Sequence, residues 1–314
     1  MDKKHPRVID CTIRDGGLMN KWQFDLETVR RVYRANIRAG VDIMEIGYRV
    51  SPKLFGRDDF GPWRFCAEED ILSVTGGDKP QLQLAVMADI GRCYQEDFIP
   101  KTDSVVDIYR LAFYAHQIDE TIRMSAYLNG LGYKTFFNIM AVSTNPLDMV
   151  INCLKRIEEE TDAVGVYLAD TFGSFIPSRV SELIAFYQSH CPSKAIGFHG
   201  HNNTQMALAN SLAAVEMGIE YVDASYYGMG RGAGNTPIEL LLPALGGNKY
   251  DIAPIIEVIQ KDFEPMSRIY KWGYHIPYAI TGICNQHPKS AIELMQSEQR
   301  GCYKEFYQRT SVGV

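Results

Sequence analysis

Two short motifs, far apart in the sequence, carry the residue types needed for metal-assisted chemistry. Arg14 and Asp15 stand side by side near the start of the chain, and His199 and His201 lie two positions apart far downstream. On an extended strand, residues i and i+2 point to the same side, so the two imidazoles can bind one ion. A carboxylate and two imidazoles make three ligands, and the guanidinium adds a fixed positive charge. This set suits stabilisation of an enolate or oxyanion beside a Lewis-acidic metal.

The candidate ligands Asp15, His199 and His201 restrict the kind of metal. Oxygen and nitrogen donors without a thiolate favour Mn²⁺, Mg²⁺, Fe²⁺ or Zn²⁺ over copper(I) or iron–sulfur clusters. A 2-oxo acid can fill two further positions through its carboxylate and ketone oxygens. We therefore predict a divalent metal cofactor, with Mn²⁺ favoured over Mg²⁺, Zn²⁺ and Fe²⁺. For Arg14 the alternative to a catalytic role is a structural ion pair with Asp15.

Eight short apolar runs, each followed by a longer stretch of helical periodicity, predict the fold. They are apolar on both faces, as expected for parallel strands covered by helices. The runs are 8–13, 41–46, 82–87, 105–113, 134–140, 163–168, 195–198 and 221–225. Helix signals lie between them, such as Asp25 before and Gly40 after the first helical stretch. The alternation predicts an α/β protein with a (β/α)8 TIM barrel over residues 1–250 and a helical C-terminal extension over residues 251–314.

The predicted barrel explains how the two motifs meet. Asp15 follows the first strand, and His199 and His201 end the seventh. In a closed barrel only the eighth strand separates the first strand from the seventh. All three side chains can therefore converge at the C-terminal face of the barrel. The extension is rich in aromatic residues, and we expect it to pack beside the barrel and cover its mouth. A tail that forms a homodimer is the alternative.

Further candidate site residues fall close to predicted strand ends. Asn235 lies in a glycine-rich loop after the eighth strand and can point its amide toward the site. Thr171, after the sixth strand, can offer a hydroxyl to a substrate carboxylate or cap a helix. Glu45 lies inside an apolar strand and needs a partner there. Arg49 is a candidate for that partner, or for a clamp on a substrate carboxylate.

Composition excludes several classes of partner. The net charge is −6, which gives no reason to expect nucleic acid or an anionic membrane surface as a partner. No apolar run approaches the roughly 20 residues of a membrane span, and the first seven residues lack the apolar segment of a secretory signal. The seven cysteines are scattered without a CxxC pair, which favours a reducing compartment. We therefore expect a cytoplasmic protein.

Three motifs give the chain a resemblance to a known group. Residues 12–16, 197–203 and 228–237 resemble those of the metal-dependent, HMGL-like superfamily of pyruvate aldolases and acyl lyases with TIM-barrel folds. Its synthases carry Glu-Arg in the last of these loops, where this chain has Arg231-Gly232, and its CoA lyases carry a cysteine there. Its 4-hydroxy-2-oxovalerate aldolases read Gly-x-Gly-x-Gly-Ala-Gly-Asn-Thr-Pro, which this loop matches.

The resemblance implies a metal-dependent carbon–carbon lyase that cleaves a 4-hydroxy-2-oxo acid through a pyruvate-type enolate. It implies that Asp15, His199 and His201 hold the metal, that Arg14 stabilises the enolate, and that Thr171 replaces a substrate-contacting serine. Aldolases of this type often pair with an acylating aldehyde dehydrogenase. The alternatives are a Claisen-type acyltransferase that uses an acyl-CoA, and a non-catalytic ligand-binding barrel.

One departure from the aldolase pattern concerns the general base. The aldolases have a catalytic histidine three residues after the metal-binding aspartate, and this chain has Leu18 there. A leucine cannot take the proton from the 4-hydroxyl group. The candidates for its replacement are Tyr278, which we predict as the catalytic residue because the family uses a tyrosine in this tail, and His275, His287, Lys21 and His116. The stretch 16–22 departs as a whole, which indicates a divergent branch.

Overall fold

Eight parallel strands close into a barrel in the order of the sequence in the computed structural model, which describes residues 5–77 and 80–311. The strands are β1 (Arg7–Asp10), β2 (Ile43–Tyr48), β3 (Gln83–Asp89), β4 (Ile108–Phe113), β5 (Lys134–Ile139), β6 (Gly165–Asp170), β7 (Ala195–Gly200) and β8 (Tyr221–Ala224). Each pairs with the next, and β8 pairs with β1 to close the sheet. The predicted TIM barrel is confirmed. Of the seven residues used to argue against a secretory signal, residues 1–4 lie outside the described part.

Helices follow the strands and cover the barrel. They are α1 (Thr12–Asn20), α2 (Leu26–Ala39), α3 (Glu68–Thr75), α4 (Ile118–Gly130), α5 (Leu147–Glu160), α6 (Pro177–His190), α7 (Ala207–Glu216) and α8 (Ile238–Leu245). The caps predicted for α2 are present, since the Asp25 carboxylate accepts the Thr28 backbone N–H and Gly40 adopts a left-handed conformation. Local sequence therefore sets the bounds of this helix.

The first strand is shorter than predicted, and this changes the setting of the first motif. We expected a strand over residues 8–13, but β1 ends at Asp10 and α1 begins at Thr12. The Asp10 carboxylate accepts the backbone N–H of Thr12 at 2.9 Å, which satisfies a donor at the start of the helix. Arg14 and Asp15 therefore lie near the beginning of α1 rather than on an extended strand end.

Residues spaced two apart along the strands fill the barrel in layers. The lowest layer is apolar and consists of Ile9, Ile43, Ala85, Ile108, Phe136, Tyr167 and Tyr221. Two residues further along three of these strands, on the same inward face, stand Glu45, Arg110 and Asp223. All three are buried. A charged layer thus lies between the apolar floor and the C-terminal mouth, where catalytic residues of this fold are found.

Five helices follow the barrel: α9 (Ala253–Val258), α10 (Glu264–Tyr270), α11 (Ile276–Ile283), α12 (Lys289–Gln296) and α13 (Tyr303–Thr310). A π-helical turn, Ile259–Phe263, joins the first two, and α9 packs against α2. The last three contribute to a separate apolar cluster. Contacts such as the hydrogen bond from Asn203 to the Tyr278 carbonyl tie this cluster to the mouth of the barrel. Within residues 5–77 and 80–311, none of the helices has the length and apolar character needed to cross a membrane.

Candidate active site

The carboxylate of Asp15 is held on both sides by polar groups at the mouth of the barrel. Arg14 Nη1 donates to Asp15 Oδ1 at 2.6 Å, and Asn235 Nδ2 donates to Asp15 Oδ2 at 2.7 Å. The Arg14 Nε–H donates in turn to Glu45 Oε2, also at 2.6 Å. Arg14 is therefore fixed by two carboxylates, and its guanidinium stays at one place beside Asp15.

The two histidines of the second motif reach the same point: His199 lies on β7, whereas His201 follows the last residue of this strand and bridges to Asn235, so the expectation that both end the strand holds for His199 alone. His199 and His201 lie with ring centroids 4.9 Å apart, and one ligand atom from each of Asp15, His199 and His201 lies within 4.8 Å of the others. The Nδ1 atom of His199 is 2.8 Å from Asp223 Oδ2, which fixes the ring. His199 Nε2 and His201 Nδ1 are buried and have no hydrogen-bond partner in the described chain. Two unpaired ring nitrogens beside a carboxylate fit a divalent metal ion.

Burial and neighbouring charges favour the protonation states in which Asp15 and His201 can bind a metal ion. Burial acts to raise the pKa of the Asp15 carboxyl, but Arg14 and the two imidazoles hold it well below its usual range. Burial lowers the pKa of His201 well below its ordinary value. Asp15 is therefore a carboxylate and His201 a neutral imidazole at neutral pH, which are the forms that bind metal.

A second candidate cluster, Cys11 with His199 and Asp223, fits a metal less well. The Cys11 thiol donates to the Ala224 carbonyl at 3.3 Å. Asp223 Oδ2 already pairs with Arg110 Nη2 at 2.7 Å as well as with His199. Burial also raises the pKa of the Cys11 thiol well above its usual value, so the thiol stays protonated, whereas His201 offers a buried ring nitrogen without a hydrogen-bond partner. The set formed by Asp15, His199 and His201 is therefore the better metal site.

The charged layer below the site connects its parts. Arg110 lies at the centre, where its Nη1 donates to Glu45 Oε2 at 2.9 Å and its Nη2 donates to Asp223. Its guanidinium also stacks over the Tyr167 ring at 4.1 Å. Since Glu45 holds Arg14 and Asp223 holds His199, Arg110 positions both halves of the candidate site through one buried network.

Replacing Arg110 should cost more stability than replacing a surface arginine with the same number of partners. Arg110→Met leaves Glu45 and Asp223 without their shared cation in a buried layer, so we expect a loss of about 3–5 kcal/mol in the free energy of unfolding. Arg156 also pairs with two carboxylates, those of Asp119 and Glu160, at the surface. Arg156→Met should cost much less, because exposed ion pairs contribute little. Urea unfolding measures both, and equal losses would contradict the role given to the layer.

A cavity of about 490 Å³ opens above these groups. Its lining residues come from the ends of most strands and from the tail: Arg14, Asp15, Leu18, Tyr48, Arg64, Met87, Asp89, Ile90, Gly91, Arg92, Ala112, Tyr114, Gln117, Asn138, Met140, Ala169, Thr171, His199, His201, Arg231 and His287. The volume suits a small molecule. The cavity therefore places a ligand in contact with Arg14 and the candidate metal site together.

Two predicted polar residues lie where they can serve this site. Thr171 lines the cavity, and its hydroxyl oxygen accepts the Ala141 backbone N–H at 2.8 Å, which leaves its own proton free to donate. Asn235 points its amide at Asp15, as predicted. The backbone of the same loop approaches closely, because a Cβ at Gly230 would stand 2.6 Å from Asp15 Oδ2.

Arg49 does not take the place that the sequence suggested. Arg49 was one candidate for the partner of Glu45, but the arginines that bond to Glu45 are Arg14 and Arg110. Arg49 turns outward from the barrel axis, where its guanidinium donates to Glu68 at 2.7 Å and to the Asp97 carbonyl at 3.1 Å. It is not among the residues that line the cavity, so the structure gives it no contact with a substrate there.

Of the five candidates for the general base, the structure places His287 in the lining of the cavity. Tyr278 is buried in the apolar cluster of the tail, beside Gly232 and His275, and does not line the cavity. His275, Lys21 and His116 are also absent from the cavity lining, whereas His287 is present. Its Nε2 atom faces Arg231 Nη1 at 2.9 Å, and its Nδ1 atom faces the Lys289 backbone N–H at 3.1 Å. Burial, with Arg231, lowers the pKa of His287 to about 4, so its imidazole is neutral at pH 7.

Several residues of this site were not identified from the sequence. Asp223 and the network around Arg110 were missed, although a charged residue inside an apolar strand is a signal that it needs a partner. Arg64 was also missed. It lies in a turn between β2 and α3, where no periodicity points to a buried or functional position.

Comparisons with known proteins agree with the geometry of the site. A family model described as HMGL-like matches residues 5–261. The chain is 29% identical over 237 residues to 4-hydroxy-2-oxovalerate aldolase 1 of Nocardia farcinica (strain IFM 10152), covering 75% of this chain and 68% of that protein. It is 29% identical over 267 residues to the 4-hydroxy-2-oxovalerate aldolase of Pelotomaculum thermopropionicum, covering 83% and 77%.

Solved structures show the same architecture. The N-terminal domain of a Bacteroides vulgatus protein described as a candidate aldolase has a TM-score of 0.78 and 26% identity, covering 95% of this chain and 99% of that one. The carboxyl transferase domain of Rhizobium etli pyruvate carboxylase has a TM-score of 0.74 at 17% identity, covering 99% and 55%. The second likeness establishes the fold alone.

Proposed function

Because the chain belongs to the HMGL-like family, we propose that it is a divalent-metal-dependent aldolase that cleaves a 4-hydroxy-2-oxo acid into pyruvate and an aldehyde. The observation that carries the proposal is the pair of buried, unpartnered ring nitrogens of His199 and His201 beside the Asp15 carboxylate. The curated relatives named as aldolases support the same reaction class. They also favour it over the acyltransferase and the non-catalytic barrel.

In this proposal Asp15, His199 and His201 hold the metal ion. A bound divalent ion supplies Lewis acidity to the carboxylate and ketone oxygens of a 2-oxo acid. Arg14 lies against Asp15 and contributes a positive charge where the enolate oxygen develops. Because Glu45 fixes Arg14 in advance, little reorganisation is needed as that charge appears. Thr171 donates its hydroxyl proton to the substrate carboxylate.

The proton of the 4-hydroxyl group needs an acceptor when the carbon–carbon bond breaks, and we propose His287. It lines the cavity, unlike Tyr278, and its imidazole is neutral at pH 7. To take the proton, Nε2 must exchange its hydrogen bond from Arg231 for one from the substrate hydroxyl. Leu18, which replaces the family histidine, also lines the cavity and is 38% exposed. The apolar side chain at this position moves the task of proton transfer to another part of the cavity wall.

A coupled assay tests the proposed reaction. The full-length protein, stripped with EDTA and reloaded with one metal at a time, is incubated with 4-hydroxy-2-oxo acids of different chain length. Pyruvate release is followed by NADH oxidation with lactate dehydrogenase. We expect cleavage only with metal, and fastest with Mn²⁺. Metal-independent cleavage, or no pyruvate from any of these acids with metal bound, would refute the proposal.

Removing His287 should slow cleavage while the enolate chemistry continues. His287→Asn keeps an acceptor for Arg231 but cannot take a proton, and loss of a general base costs about 10²–10⁴-fold in rate. Introducing Leu18→His into this variant should restore part of the cleavage rate, because it returns the family histidine. His275→Asn is the matched control, since His275 lies in the same tail outside the cavity lining. Unchanged cleavage in His287→Asn would exclude it as the base.

The finer predictions about this protein have their own tests. A preference for Mn²⁺ is tested by the reloading series. Homodimerisation through the aromatic tail is tested by light scattering of the purified chain, and association with an acylating aldehyde dehydrogenase by co-purification. The cytoplasmic location stays a prediction from cysteine usage.

A further inference from the structure

Arg64 is a buried cation in the cavity wall with an unusual set of neighbours. Its Cζ atom lies 4.2 Å from the ring centroid of Trp22, 4.9 Å from that of Phe55, 5.1 Å from that of Phe60 and 5.5 Å from that of Tyr48. The side chain is 5% exposed. Four aromatic rings therefore hold the guanidinium in place in the cavity wall.

Arg64 lacks the carboxylate partner that a buried guanidinium normally has. No carboxylate of residues 5–77 and 80–311 forms an ion pair with it, and its Nε–H is buried without a hydrogen-bond partner. Burial lowers the pKa of Arg64, and the opposing influence of Tyr48 and Asp89 does not offset it. Ring faces attract a guanidinium but do not satisfy its N–H donors, so the arrangement leaves these donors available.

The nearby acidic group does not fill this role. Asp89 lines the same cavity, but its Oδ2 pairs with Arg92 Nη1 at 3.3 Å. Arg231 lines the cavity as well, and its Nη atoms donate to the Thr171 carbonyl and to His287. With Arg14 already paired to Asp15 and Glu45, the uncompensated positive charge of this wall is concentrated at Arg64 and Arg231.

The ring cage connects Arg64 to the part of the chain that departs from the aldolases. Trp22 ends the divergent stretch 16–22, and its indole N–H donates to the Arg14 carbonyl at 2.9 Å. A Cβ at Gly17 would stand 2.0 Å from this indole ring, so the glycine makes room for it. The divergent stretch thus supports Arg14 on one side and orients Arg64 on the other.

We propose that Arg64 binds an anionic group, a carboxylate or a phosphate, on the aldehyde half of the substrate. The preferred 4-hydroxy-2-oxo acid then carries a second negative charge at the end remote from the pyruvate portion. The inference rests on the proposed function, because it concerns the aldehyde half of the substrate, which the chemistry of the pyruvate half does not determine. An anion at this place satisfies the free N–H donors and removes the cost of the unpaired buried charge.

The test compares matched aldehydes in the reverse, bond-forming direction with Mn²⁺-loaded full-length protein and saturating pyruvate. Succinic semialdehyde is paired with its uncharged isostere 4-oxobutanamide, and glycolaldehyde phosphate with glycolaldehyde. We expect kcat/KM to favour the charged member of one pair by at least about tenfold, the value of a charge-assisted hydrogen bond. The pair that shows the preference identifies carboxylate or phosphate as the group.

Variants assign the preference to this residue. Arg64→Met should bring the ratio of kcat/KM for the charged and uncharged aldehydes close to one. Arg64→Lys keeps a cation at this position and should retain part of the preference. It provides the second test if Arg64→Met does not fold. Arg57→Met is the matched control, because Arg57 also packs on a ring of this segment, that of Phe65, but is exposed and outside the cavity lining. It should keep the full ratio. Equal rates within both pairs, or a ratio that survives in Arg64→Met, would overturn the inference.

Two further readouts separate this inference from the proposed function. Exchange of pyruvate methyl protons with solvent reports enolate formation without any aldehyde. Calorimetric titration of succinic semialdehyde and of glycolaldehyde phosphate reports anion binding without turnover. If pyruvate protons exchange but charged aldehydes are not preferred over uncharged ones, the inference about Arg64 is refuted and the proposed function stands. Binding of an anionic aldehyde that is lost in Arg64→Met, in a protein that shows no exchange, would refute the proposed function alone.

Discussion

His199→Ala is expected to abolish both metal binding and turnover. The substitution removes one of three ligands and leaves Asp223 without the imidazole that it holds at 2.8 Å. A metal ion that polarises a carbonyl is worth several kcal/mol to the transition state, so the rate should fall by at least about a thousandfold. Calorimetric titration with Mn²⁺ measures the binding, and the lactate dehydrogenase assay measures the rate.

The matched control for this variant is His190→Ala. His190 ends α6, where it packs against Phe186 at the protein surface and away from the cavity. It should bind Mn²⁺ and turn over like the unmodified protein. Full activity of His199→Ala after metal has been stripped would show that the reaction does not depend on this site.

Arg14→Lys is expected to leave the metal bound while removing most of the activity. Lysine keeps a positive charge between Asp15 and Glu45, so the buried carboxylates remain compensated and the fold should persist. It cannot reproduce the planar set of donors that arginine presents. Loss of one donor to a developing oxyanion costs about 10²–10³-fold in rate, and we expect a loss of this size in pyruvate proton exchange.

Two comparisons make the Arg14 result specific. Arg268→Lys, at an exposed ion pair with Glu264 in α10, should leave exchange unchanged. Mn²⁺ affinity should be similar in Arg14→Lys and the unmodified protein, because lysine retains the charge beside Asp15. If exchange and metal affinity fell together, Arg14 would act by holding Asp15 in place, and its role at the enolate oxygen would be rejected.

The features that the sequence predicted are those set by local periodicity. The apolar runs located all eight strands, and a spacing of two brought the rings of His199, on β7, and His201, just beyond it, together. The closed order of the barrel then brought Asp15 next to them. Asp15 does follow the first strand, but the predicted end of that strand at residue 13 was wrong, since β1 ends at Asp10 and the Asp10 side chain bonds to the first residue of α1. That competition between strand and helix is decided by one hydrogen bond, which hydrophobic pattern does not encode.

The features that were missed depend on contacts between distant segments. Arg49, four residues away, was a candidate for the partner of Glu45, but the inward layers of the barrel pair Glu45 with Arg14 and Arg110. Arg64 is buried because Trp22 and three other rings close around it from separate segments. Tyr278 was placed at the site by its position in the tail, yet the path of α11 turns it into an apolar cluster. Each case requires tertiary packing that sequence spacing does not reveal.

The measurement that tests the central claim most directly is exchange of pyruvate methyl protons with D₂O, followed by NMR. It needs neither the aldehyde nor proton transfer from the 4-hydroxyl group. It reports enolate formation, in which a base removes a methyl proton while the metal site and Arg14 stabilise the negative charge on the enolate oxygen. We predict exchange with Mn²⁺-loaded protein, none after EDTA, recovery when Mn²⁺ is restored, and little in Arg14→Lys. Metal-bound protein that fails to exchange these protons, or exchange that persists without metal, would contradict the claim.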